Sequence, residues 1–230
     1  EDPRRQRQMC IRDSDYTPRE FDSRAGYMSI SFMDFASPID EQIVKKFIAR
    51  HRLIKKQPHL EISEPVDPII YYLDRGTPEP VRSALIEGGN WWNEAFEYAG
   101  FKNAFRVEVA PEGMDLLDVR YNAIQWVHRS TRGWSYGASV KDPRTGEIIK
   151  GHVSLGSLRV RQDYLIAQGL LQPFKTDDSG DERMLQMALA RLRQLSAHEI
   201  GHTLGLSHNF SSSASGLSLI HISEPTRHRL

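Results

Sequence analysis

The chain predicts an α+β fold: a twisted mixed β-sheet with one helix packed on it and a second, longer helix that ends in a histidine cluster. Three observations predict this. A 3.6-residue apolar period runs from Val81 to Ala99, and short β-branched and aromatic runs recur on both sides of it. A helical stripe from Leu185 then leads directly into HEIGHTLGLSH, residues 198–208.

Residues 15–60 read as the tail of a preceding domain. They contain a strand at 27–32 (YMSISF), with alternating apolar positions, and an apolar-basic segment at 43–54. The run HLEISEPVDP, with two prolines, reads as a linker into residues 61–216, and IIYYL at 69–73 as a short buried strand. Pro80 stands at the first position of a helix that runs to about Tyr98, with Gly100 just past its end. Its stripe of Val81, Ala84, Leu85, Gly88, Trp92, Ala95, Phe96 and Ala99 turns one face to the sheet. Gly88 in that stripe predicts close approach to a strand, and Trp91 and Trp92 read as rim and core.

Strands follow at 104–109 and 121–127. A hairpin comes next, 135–140 and 148–155 about the turn DPRTG, and then a short helix at 159–168. The acidic residues Asp177, Asp178, Asp181 and Glu182 suit the positive end of the long helix, about 181–204, better than a calcium site. Leu185, Ala188, Leu192 and Leu195 form the stripe that anchors this helix.

The motif has the spacing HExxHxxGxxH. On a helix His198 and His202 lie one turn apart on one face, so both imidazoles can reach one ion at about 2.0–2.1 Å. Glu199, one residue round, is placed to meet a water rather than the ion. Gly205 lets the chain leave the helix in a left-handed conformation, and the return brings in His208 as third ligand. Three protein ligands leave a fourth position open, the pattern of a catalytic zinc (Zn2+) site. Histidines near a helix C-terminus are also favoured by the helix dipole, but that reading needs neither the glutamate nor the glycine. His128 and His152 fall in predicted strands and read as hydrogen-bonded structural groups; His51 and His59 sit among basic and linker residues and read as surface.

The two ends read differently. Met9 to Ser14 (MCIRDS) can be encoded by ATGTGTATAAGAGACAG plus one base, and the reverse complement of that DNA, once completed, translates as LSLIHI, residues 217–222. RRQRQMCIRDS and LSLIHISEPTR also resemble translated transposon-end adapters from sequencing libraries. Residues 1–14 and 217–230 are therefore expected to be adapter-derived. Setting them aside removes Cys10, His221 and His228, and with the lone cysteine any disulfide or thiolate site. It also removes six arginines and four acidic residues from a balanced 30 and 30, leaving a net charge near −2 and no electrostatic footprint for nucleic acid. No apolar run approaches the roughly 20 residues of a membrane span.

With all five motif positions present, the segment resembles the metzincin metallopeptidases, which share HExxHxxGxxH followed by a methionine-containing turn. The flanking text YYLDRGTPEPVRSALIEGGNWWNEAFEYAGF, YNAIQWVHRSTRGWSYG, DPRTGEIIKGHVSLGSLRVRQDYL and HEIGHTLGLSHNF is similar to a family of large bacterial zinc-dependent metallopeptidases with an uncharacterised domain before the metzincin domain. The likeness covers most of residues 15–213. It implies a zincin-like domain, hydrolysis of peptide bonds with Glu199 as general base, and an extracytoplasmic setting. It also implies a peptide or protein substrate bound as an added strand, for which Ser135, Tyr136, Gly137 and Ala138 are the candidate edge. No methionine lies between His208 and Gly216, so the chain is expected to stop before the methionine turn and to be a poor enzyme by itself. Two other readings stay open: a zinc-binding adhesion or interaction module without catalysis, and a zinc hydrolase of a non-peptide amide.

Overall fold

The computed structural model describes residues 16–130, 134–171 and 180–209. The adapter-like ends, residues 210–216 and the acidic pair Asp177 and Asp178 lie outside these. Near the N-terminus a single 3₁₀ turn, Ser23–Ala25, precedes two strands, β1 (Ser29–Met33) and β2 (Val44–Ile48), which pair antiparallel as a separate two-stranded sheet.

The main sheet follows from Ile69–Leu73 (β3), Phe105–Val109 (β4), Asn122–Val127 (β5), Tyr136–Lys141 (β6) and Ile148–Gly156 (β7), in the spatial order β4-β3-β5-β7-β6. Four neighbours run parallel; β6 alone runs antiparallel, against β7. The fold class read from the sequence, a mixed sheet with a packed helix and a long helix, is the one observed. The helices are α1 (Val81–Tyr98), α2 (Leu158–Leu171) and α3 (Gly180–Thr203). Pro80 is the N-cap of α1, so the helix starts one residue later than the proline signal suggests.

One face of the sheet buries Tyr71, Leu73, Phe105, Val107, Ile124, Trp126, Val153 and Leu155 against α1 and α3. From α1 come Val81, Ala84, Leu85 and Trp92, and from α3 Leu189, Leu192 and Ile200. Burying a large apolar side chain contributes about 1.5–3 kcal/mol, so this layer is what fixes α3 on the sheet. The close approach at Gly88 is to the backbone of α3 at Arg193, not to a strand. Trp92 is buried and its indole N–H donates to the Ala197 carbonyl at 2.8 Å, pinning the two helices just before the histidines. Asp163 on α2, wholly buried, accepts from Arg159 at 3.1 Å and from Arg191 of α3 at 2.9 Å.

Candidate metal centre

The last two turns of α3 carry His198, Glu199 and His202. After Thr203 the chain reverses through Gly205, whose φ of +100° is a region that side chains with a Cβ rarely adopt. A Cβ at Gly205 would also overlap the Ala49 carbonyl oxygen. The reversal returns His208 to the helix, and the three Nε2 atoms form a triangle: His202 to His208 is 2.9 Å, and His198 lies 3.1 Å from each. Two donors on one tetrahedral zinc at about 2.0–2.1 Å would stand about 3.3–3.4 Å apart. The donor set fits such an ion to within a few tenths of an ångström.

Ring chemistry agrees with that fit. The Nδ1–H of His202 donates to the Leu206 carbonyl at 2.9 Å, which leaves the Nε2 lone pair of a neutral ring turned to the other two histidines. His198 is pushed down to about 4 by burial and then by the charges of His202 and His208, so it is held neutral, the ligating form. His208, more exposed, is lowered by burial and by His202.

Glu199 is buried, 6 % exposed, and its carboxyl is raised to about 7 by burial, an effect opposed by the Gly137 N–H and by the charge of Arg159. The approach at Gly137 is tight: a Cβ there would overlap the Glu199 carbonyl oxygen and lie 3.2 Å from the His202 Cβ. Strand β6 thus rests directly on the turn of α3 that bears the motif. Ser135 lies just ahead of β6, and Tyr136, Gly137 and Ala138 lie on it, at one edge of the main sheet.

Thr203 closes the helix. Its hydroxyl donates to the Ile200 carbonyl at 2.7 Å and pairs with the phenol of Tyr71 on β3, also at 2.7 Å. His51 is not a surface residue as its basic surroundings suggested. It is half-buried with Nε2 3.3 Å from the Thr203 carbonyl, and burial pushes it down to about 4. His59 is exposed. His128 lies just beyond β5 with Nδ1 2.9 Å from Ser157 Oγ, and His152 on β7 is half-buried; the cluster among the described residues contains neither.

Sequence reasoning missed Arg159, the Leu206 carbonyl and the Tyr71–Thr203 pair. Arg159 and the Tyr71–Thr203 pair have no local pattern, because the partners come from different elements; Leu206 lies inside the motif itself, four residues past His202, but a backbone carbonyl carries no residue signature.

A family model described as Met-zincin matches residues 180–220, the long helix and the histidine motif. A second, described as a domain of unknown function (DUF5117), matches residues 9–56. No curated protein and no solved structure matches the chain. The segment that builds the histidine triangle is therefore similar to the Met-zincin family, and its three histidines are grouped as a metal ion would need them.

Proposed function

We propose that the chain carries the active centre of a zinc-dependent metalloendopeptidase, with His198, His202 and His208 holding the ion and Glu199 as the general base. The observation that carries this reading is the convergence of three Nε2 atoms within 3.1 Å of one another, beside a buried carboxyl. Zinc held by three imidazoles supplies Lewis acidity, polarising a scissile carbonyl and bringing the pKa of water towards about 7.

Glu199 takes the proton of the attacking water and passes it to the leaving amine nitrogen, so that the C–N bond breaks to give a neutral amine. The Gly137 N–H and Arg159 oppose the burial that raises this carboxyl to about 7, which leaves it able to take and give a proton near neutral pH. A site that only held a metal for structure would have no use for this group.

The substrate in this reading is an extended peptide added to the edge at β6. The choice between the two edges rests on hydrogen bonding. On the β4 edge the N–H groups of Phe105 and Val107 donate to the side-chain oxygens of Asn93 and Asn90 from α1, at 3.4 and 2.8 Å. That edge is spoken for, whereas β6 runs past the motif. The proposed setting is extracytoplasmic; no helix among the described residues is long and apolar enough to cross a membrane.

The test is an assay of the zinc-loaded chain against a broad peptide library and a panel of small non-peptide amides. Slow but measurable cleavage of internal peptide bonds, lost on chelation and restored by zinc, is the result expected of a chain that is a poor enzyme by itself. Stoichiometric zinc with no hydrolysis of either set would overturn the enzyme reading and leave a binding module.

A further inference from the structure

The loop that returns His208 is not held by the long helix alone. Leu206 forms an antiparallel bridge with Tyr27, far away in the chain, inside the stretch matched as a domain of unknown function. The Met28 N–H donates to the Gly205 carbonyl at 2.6 Å, and the Gly26 carbonyl accepts from both the N–H and the hydroxyl of Ser207, each at 2.9 Å. Ala49 of the same stretch donates its N–H to the Met28 carbonyl at 2.8 Å.

These bonds set which way Leu206 faces. With its neighbours paired outward to residues 26 and 28, Leu206 turns its own backbone inward. Its N–H donates to the Gly201 carbonyl at 3.0 Å and its carbonyl accepts from His202 Nδ1 at 2.9 Å. The outward bonds thus run through one residue to the ring of one ligand and, one residue past Ser207, to the next ligand.

We propose that residues 26–28 are a positioning part of the metal centre, holding residues 205–207 so that His202 is oriented by Leu206 and His208 reaches the other two histidines. This rests on the zinc reading above. On it, the stretch before the sheet is a working component of the site and not a separate neighbour.

Gly26 provides the test, because its φ is +70° and a Cβ there would meet nothing within 4 Å. Gly26→Val therefore acts only by straining the backbone that aims its carbonyl. Gly113, with φ +75° and equally open space, is a matched control elsewhere on the surface. Zinc affinity of the full chain is measured by competition with a chromophoric chelator, and site geometry by the visible spectrum of the cobalt-substituted protein. Supporting contacts to metal ligands typically carry about 10- to 100-fold in affinity. Gly26→Val is expected to bind zinc about 10-fold or more weakly with an altered cobalt spectrum, and Gly26→Asn, which tolerates the left-handed region, to stay near the parent. Gly113→Val should keep the parent's affinity and spectrum. Equal affinity in Gly26→Val, or an equal loss in Gly113→Val, overturns the proposal. Should Gly26→Val fail to fold, Ser207→Ala, which removes one of the two bonds to Gly26, decides it: a few-fold loss supports the proposal and no change overturns it. A parent chain that binds no zinc overturns the centre and this role together, whereas His208-dependent binding untouched by the Gly26 and Ser207 variants overturns this role alone.

Discussion

The phenol of Tyr71 meets the hydroxyl of Thr203 at 2.7 Å in the buried space between the central sheet and the end of the motif helix. Thr203 follows His202 directly, so this bond ties the metal-binding turn to β3. Burial raises the Tyr71 pKa, and the phenol stays protonated as a neutral hydrogen-bonding group.

Removing either partner has a different predicted cost. Tyr71→Phe leaves Thr203 its bond to Ile200 and loses one hydrogen bond, about 1 kcal/mol. Thr203→Val strands a buried phenol and should cost more, about 1–3 kcal/mol. Thermal unfolding should rank Thr203→Val below Tyr71→Phe, and both below the parent by a few degrees. The opposite ranking would show that this bond does not hold the helix end.

What could be read from the sequence was whatever lies within one window of chain. The helical stripe through Val81, Leu85 and Trp92 repeats at the period of its own element, so periodicity finds it, and the turn DPRTG marks the hairpin of β6 and β7. The i, i+4 placement of His198 and His202 and the glycine three residues on are equally local. What stayed hidden depends on which elements meet. Gly88 is a small residue in a buried stripe whatever it touches, and only the packing of α1 on α3 makes Arg193 its neighbour. The contact of His51 is with the carbonyl of Thr203, far off in sequence. The bridge of Tyr27 to Leu206 is a single pair without any repeat to announce it.

Each of the variants His198→Ala, His202→Ala and His208→Ala is predicted to lose most of its zinc, since two ligands remain of three. Glu199→Gln should retain the metal and lose hydrolysis, because an amide keeps the shape but cannot accept the proton of water. Metal content by atomic emission, set beside peptide turnover, checks both. Undiminished zinc in His208→Ala, or near-parental turnover in Glu199→Gln, would remove that residue from its role.

Gly137→Ala is predicted to separate β6 from α3. The added Cβ would strike the backbone carbonyl of Glu199, which cannot rotate away as a side-chain tip could. Overpacking of this kind costs about 1–3 kcal/mol, and the displacement falls on the residue assigned as base. Urea unfolding should show the loss of stability, and turnover should fall further than the loss of folded protein explains. Parental stability in Gly137→Ala would mean that the strand does not rest on the helix there.

His51 predicts an acid weakness in the fold. Its folded-state value is pushed down to about 4 by burial, from an ordinary 6.5, so between these values the unfolded chain binds a proton that the folded chain refuses. The stability that the neutral ring contributes is therefore complete above about pH 6.5 and is lost as the pH falls towards 4. One proton sets a limiting slope of about 1.4 kcal/mol per pH unit. Partial exposure of the ring and the favourable Thr203 carbonyl, at the negative end of α3, keep the observed slope below that limit. Urea unfolding of the metal-free chain at pH 7.5, 6 and 5, for the parent and for His51→Gln, isolates this residue, because the motif histidines are the same in both. The parent should lose stability more steeply with acid than His51→Gln. Parallel slopes would mean that His51 takes up its proton as readily in the folded protein as in the unfolded one, and that its contact with Thr203 survives the charge.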